Sequence, residues 1–181
     1  MSTRTIIVLT LTALLASACA LGDKRIYNHK IYRPNATSYL VAGGTNSRAV
    51  PTFIAGNPFD IAPATLANIV SSSLQNAFPG RDVTFATRRT TGLRDDVFMV
   101  VAFDPPKTAS GQRLCRNRGR ISSITVGESI RTLMAFCLAG TPLVSIESKV
   151  ARGSGAGDKT FVLLLRDMAR RMFEAKSKNE I

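Results

Sequence analysis

Val97-Phe98-Met99-Val100-Val101-Ala102-Phe103, followed at once by Asp104-Pro105-Pro106, is the stretch on which the fold turns. Seven consecutive apolar residues, rich in β-branched and aromatic side chains, read as a strand covered on both faces. Proline has no N–H to give to a ladder, so the pair after Asp104 stops the strand. Such a strand needs neighbours on both edges and cover above and below, and the rest of the chain supplies candidates for each.

Downstream, Thr132–Leu138 is a second apolar strand, and Ala139-Gly140-Thr141-Pro142 turns it into a third, Val144–Val150. In that strand Val144, Ile146 and Val150 share one face while Ser145, Glu147 and Lys149 share the other, which predicts one face open to water. Upstream, Val83–Thr87 alternates as a short strand, and Arg48–Ile54 reads as another, ended by Gly56-Asn57-Pro58. Between them the period becomes helical from Pro63: Leu66, Ile69, Val70, Leu74, Ala77 and Phe78 form one face, and Pro79-Gly80 ends it. A Gly/Ser linker, Gly153 to Gly157, leads to a second helix at about Lys159–Ala175 with Asp158 as N-cap. Its apolar stripe is Phe161, Leu164, Leu165, Met168 and Met172, and Arg166, Arg170, Arg171 and Lys176 load its outer face and last turns.

Residues 104–120 read as a long loop, and Ile121–Val126 as a further strand or a covering segment. The expectation is an α+β fold: an antiparallel-dominated sheet of four to five strands with two helices packed on one face, in the order β-α-β-β-β-β-α. One domain over residues 45–181 accounts for all of these elements, and no internal repeat is visible.

The chain has 181 residues, 45% apolar and 20% charged, with 24 Lys+Arg against 12 Asp+Glu and a net charge of +12. That is a globular composition with a basic excess rather than a disordered tail. Three cysteines and no tryptophan exclude a disulfide-dense miniprotein and a cysteine-ligated cluster protein.

At the N-terminus, Arg4 precedes an apolar run from Ile6 to Leu15, and the small residues Ala16-Ser17-Ala18 stand directly before Cys19. This is the three-part plan of a secretory signal over residues 1–18, too short to span a bilayer as a mature helix. Leu15-Ala16-Ser17-Ala18-Cys19 resembles the lipobox of bacterial lipoproteins, with Ala16 where leucine is commoner. The resemblance implies a diacylglycerol on the Cys19 thiol and anchoring by acyl chains, each buried methylene contributing about 0.8 kcal/mol. Ala20, a residue other than Asp after the cysteine, implies the outer membrane, with the protein facing the periplasm. The same residues also fit ordinary cleavage after Ala18, which would give a soluble periplasmic protein, or an uncleaved anchor.

Arg4 is the one charged residue among the first 18, so the mature chain keeps 23 basic and 12 acidic residues, net +11. Residues 19–44, with Gly22, Pro34, Gly43 and Gly44 and no sustained period, read as a lipid-anchored tether with room for a short strand near Tyr39–Val41. With Cys19 assigned to lipid, Cys115 and Cys137 are left as an even pair in an oxidising compartment, and a disulfide between them is expected.

Several chemistries are poorly supported. Gly153 to Thr160 imitates a phosphate-binding loop, but Asp158 stands where glycine must precede the lysine and would aim a carboxylate at the anion. A Ser-His-Asp triad would have to use His29, the only histidine, placed in the expected tether. One histidine and scattered acids give no metal set, and no cofactor is expected.

The basic residues are what remains. Arg113, Arg116, Arg118 and Arg120 crowd the segment around Cys115, and Arg88, Arg89 and Arg94 flank another turn. Arginine binds phosphate and carboxylate through paired N–H donors, so such clusters suit lipid headgroups, acidic glycans or an acidic protein face. Nucleic acid is disfavoured by compartment and by the absence of aromatics interleaved with the arginines. In general plan the chain resembles the small α+β lipoproteins of Gram-negative envelopes, including accessory lipoproteins of lipopolysaccharide export, a likeness of size and topology that lends no residue a role. The expectation is a non-enzymatic accessory or assembly factor with a basic surface, and the alternative a binder of anionic envelope lipid or glycan. An apolar pocket rimmed by arginines would favour the binder; a flat or edge-strand surface would favour the scaffold.

Overall fold

The structure, a computed structural model, describes residues 24–44, 49–78, 83–87, 96–124 and 127–174. Val97–Phe103 is a strand at the positions the sequence indicates, and every one of its side chains is buried. Its odd-numbered residues enter a large apolar cluster on one face, while Phe98, Val100 and Ala102 enter a smaller one on the other. In chain order the elements are β1 (Arg25–Ile31), α1 (Ala36–Gly44), β2 (Val50–Ala55), α2 (Pro63–Gln75) and β3 (Phe85–Ala86). They continue with β4 (Val97–Phe103), α3 (Gly111–Asn117), β5 (Ser129–Leu138), β6 (Thr141–Ala151) and α4 (Lys159–Phe173).

The fold is α+β, and its sheet has six strands in the order β1-β6-β5-β4-β2-β3. It is a mixed sheet: β1–β6, β6–β5 and β5–β4 are antiparallel, as expected for most of the sheet, whereas β4–β2 and β2–β3 are parallel, against expectation. The parallel β2–β3 pair follows from α2, because a helix joining two strands in one sheet carries the chain back to the end where the first strand began. Alternation within a single strand has no bearing on that direction.

Two helices on one face becomes three on one face and a short fourth on the other. Ala36 and Leu40 of α1, Leu66, Val70 and Leu74 of α2, and the stripe of α4 share the large cluster. Leu114 and Cys115 of α3 cover the opposite face. In α4 all five expected stripe residues are buried, joined by Ala169 and Phe173. Asp158 caps this helix by accepting from the Thr160 N–H at 2.8 Å, and this bond holds its carboxyl below the usual carboxylate range.

Three expectations need correction. Residues 25–44 are not a tether: β1 pairs with β6 from Arg25↔Lys149 to Ile31↔Val144, and α1 packs on the core. The folded part therefore starts at or before Arg25, not at residue 45, and Tyr39–Val41 is helical. Beta1 defeats a period-2 search because it is mostly exposed and its register slips between Tyr27 and Lys30, with Asn28 at φ 52°. Secondly, the segment before Arg120 holds α3, two turns long and hence too short to show a period, with the Ser110 hydroxyl as its N-cap. Ile121–Ile124 forms no strand; Ile121 instead packs as cover on the smaller cluster.

Thirdly, of Ser145, Glu147 and Lys149 on the second face of β6, Lys149 alone is open to water. Ser145 is 3% and Glu147 8% exposed. Gly111 of α3 lies so close to Ser145 that a Cβ there would come within 2.7 Å of the Ser145 Cβ. Glu147 is enclosed by an ion pair with Arg131, a bond from Asn28 Nδ2 at 3.0 Å and one from the Tyr27 hydroxyl at 3.3 Å. Burial, and then the Glu147 charge, push the Tyr27 phenol above its ordinary value, so it stays protonated and donates.

Candidate functional site

The expected Cys115–Cys137 disulfide is present, with Cα atoms 5.5 Å apart. It ties α3 to β5, and the four arginines of 113–120 are thereby fixed against the sheet. Helix α3 then divides them. Arg113 and Arg116 are exposed on the helix, with Arg113 Nη1 bonded to Thr108 Oγ1 at 3.2 Å. Arg118 ends the helix in the left-handed region at φ 47°, and Gly119 follows at φ 73°.

Gly119 is the hinge of the site. It is buried, and a Cβ on it would approach Val100 Cγ1 to 3.1 Å and Phe53 Cβ to 3.4 Å. Only a residue without a side chain lets the turn lie this close to the sheet, and the turn holds one arginine on each side of it. The Arg118 guanidinium lies over the Phe98 ring, 5.5 Å from its centroid, while Phe53 meets the same ring edge-on at 5.5 Å. The ring's negative face attracts the cation there.

Arg118, Gly119 and Arg120 line a cleft of about 680 Å³ with Phe53, Ile54 and Gly56 of the β2 region and Pro63, Leu66 and Ala67 of α2. The cleft wraps the open side of β2. On that side the Val50 N–H bonds to Thr84 O at 2.7 Å, but β3 ends at Ala86, and among the described residues no strand accompanies β2 further. Alternation turns the Ile54 peptide to the same side as that of Val50, so its N–H and C=O face the cleft. Gly56, at φ 81°, closes the floor; a Cβ there would meet Phe103 O at 2.4 Å.

The cleft thus combines apolar side chains with Thr52, Asn57 and Thr87, and carries the two arginines Arg118 and Arg120. Among the described residues no carboxylate forms an ion pair with Arg113, Arg116 or Arg120. Other basic residues are committed to structure: Arg131 pairs with Glu147 and donates to the carbonyls of Pro105 and Pro106, and Arg152 pairs with the buried Asp104 at 3.3 Å. This chemistry suits an elongated ligand with phosphate or carboxylate groups and an apolar or sugar-ring body.

The density of arginine marks the segment 113–120, but Phe53, Ile54 and Leu66, which line the same cleft as Arg118 and Arg120, come from β2 and α2 far upstream and carried no signal of a site. Arg88, Arg89, Arg94 and Cys19 lie outside the described residues, although Thr87, immediately before Arg88, lines the cleft. His29 belongs to β1 and not to a tether. Among the described residues no group of three His, Cys, Asp or Glu side chains could hold a metal ion, and no helix is long and apolar enough to cross a membrane.

No family model matches the sequence, and no curated protein matches it. Among solved structures the chain is similar to a point variant of the PelC dodecamer from Paraburkholderia phytofirmans, at 10% identity and a TM-score of 0.40, over 84% of this chain and 99% of that one. It is also similar to a second crystal form of the PelC dodecamer from the same organism, at 7% identity and a TM-score of 0.37, over 83% of this chain and 94% of that one.

Proposed function

We propose that this chain is a lipid-anchored accessory protein of the cell envelope, facing the periplasm from the outer membrane, that binds an anionic glycan or lipid headgroup without chemical conversion. The observation that carries the binding role is the cleft on the open side of β2, mostly apolar but with Thr52, Asn57 and Thr87 in its lining, and bordered by Arg118 and Arg120. An apolar pocket with arginines at its mouth favours a ligand binder over a flat scaffold. The signal ending in Ala16-Ser17-Ala18-Cys19 supports the anchor and the compartment.

Two charge-matched double variants test the role. Arg118→Gln/Arg120→Gln removes the rim of the cleft, and Arg113→Gln/Arg116→Gln removes the same charge from the outer side of α3. Titration against lipopolysaccharide and against polygalacturonate separates a phosphorylated lipid headgroup from a carboxylated glycan. A charge-assisted bond is worth about 1.5–3 kcal/mol, so the rim variant should bind its ligand about tenfold or more weakly, while the outer variant changes little. Equal losses from the two folded variants would mean that net charge alone attracts the ligand.

A further inference from the structure

Lys24-Arg25-Ile26-Tyr27-Asn28-His29-Lys30-Ile31-Tyr32-Arg33 runs along the outer edge of the sheet at β1, opposite the β2–β3 end. Lys24, Arg25, Lys30 and Arg33 are exposed there. So are Tyr27, Ile31 and Tyr32, at 37%, 40% and 44%, which are three of the five exposed large apolar side chains among the described residues. Lys24, Arg25 and Tyr27 share a basin of about 720 Å³ with Lys149 and Arg171. Its one acid, Asp167, is paired with Lys24.

A band that mixes tyrosine and isoleucine with lysine and arginine has the composition of a membrane–water interface. Rings and aliphatic groups rest at the level of the headgroups while the cations reach lipid phosphate. Chain length adds an independent constraint. Cys19 stands five residues before Lys24, and at ~3.5 Å per residue the link cannot exceed about 18 Å. A long tether would leave the domain free to present any face, whereas a link this short keeps the β1 edge near the anchor.

We propose that the β1 edge, with Lys149 and Arg171, is the membrane-facing surface of the protein and docks on the anionic headgroups of the leaflet that holds the Cys19 lipid. This rests on the lipid-anchor reading. Four strand spacings of ~4.8 Å separate β1 from β2, so docking sets the cleft about 19 Å further from the bilayer, turned toward ligands arriving from the periplasm. That distance exceeds the Debye length of about 8 Å at physiological salt, so headgroup charge does not compete for Arg118 and Arg120.

The test is amide hydrogen exchange on the full lipidated protein in vesicles of phosphatidylethanolamine alone and of phosphatidylethanolamine with phosphatidylglycerol. The Cys19 peptide is weighed in the same samples. Amides of residues 25–33 should exchange several-fold more slowly on the anionic vesicles, and the difference should vanish in high salt and in Lys24→Gln/Arg25→Gln/Lys30→Gln/Arg33→Gln. Should that variant fail to fold, the comparison of wild type on the two vesicles still decides. A modified Cys19 with equal exchange on both vesicles overturns the docking and leaves the anchor standing; an unmodified Cys19 overturns both. Protection that appears in detergent and rises with protein concentration also overturns it, since a second copy then covers the edge.

Discussion

Gly111 faces Ser145 across the junction of α3 and β6 with no room for a methyl group, because an added Cβ would stand 2.7 Å from the Ser145 Cβ. Gly111→Ala should therefore destabilise the fold by about 1–3 kcal/mol, the usual cost of forcing an extra carbon into a packed site. Gly157→Ala, with nothing within 4 Å of the new carbon, serves as the control in the same thermal melts and should change stability little. At Asp158 the carboxylate accepts the Thr160 N–H, and its loss in Asp158→Ala should cost about 1 kcal/mol at neutral pH. The folded-state pKa of this group is depressed, so its contribution is complete above the unfolded value near 4 and lost as pH falls through the lower folded value. Melting temperatures of wild type and Asp158→Ala should converge in strong acid and stay apart at pH 7.

At the scale of elements, the disulfide is what makes a short helix into a platform. It joins positions 22 residues apart, and the chain-entropy treatment gives such a loop about 3 kcal/mol. Cys115→Ala/Cys137→Ala should unfold at correspondingly lower denaturant, and should also weaken ligand binding at the cleft, since the Arg118–Arg120 turn follows directly from α3. Retained affinity in a destabilised but folded variant would separate the two effects. Elements that pack on both sides or carry a long stripe were legible in the sequence: β4 at its observed limits, and α4 from its Asp158 cap through Met172. Beta1, α1 and α3 were not. Beta1 is held by backbone pairing with β6 rather than by buried side chains, α1 buries only Ala36 and Leu40 of the side chains described, and α3 has two turns. The site was legible in part for the same reason. Four arginines in eight residues mark a segment, but which two border a cleft depends on the left-handed turn at Arg118-Gly119 and on residues of β2 and α2.

For the molecule as a whole, the fold of residues 25–44 changes what the N-terminal signal means. The expected tether of 26 residues shrinks to a link of a few residues, so the proposed anchor at Cys19 would set orientation as well as location. The sheet then has two unlike ends. One carries Lys24, Arg25, Tyr27 and Lys30 at β1, and the other holds the Arg118–Arg120 cleft at β2. The proposed compartment and the proposed orientation both depend on Cys19. The most direct test of the account is mass spectrometry of the N-terminal peptide of the native protein extracted from cell envelopes, alongside Cys19→Ala. The account predicts a peptide that begins at Cys19 and carries a diacylglycerol thioether, with Cys19→Ala lost from the membrane fraction; an unmodified Cys19 on a protein released soluble into the periplasm would contradict it.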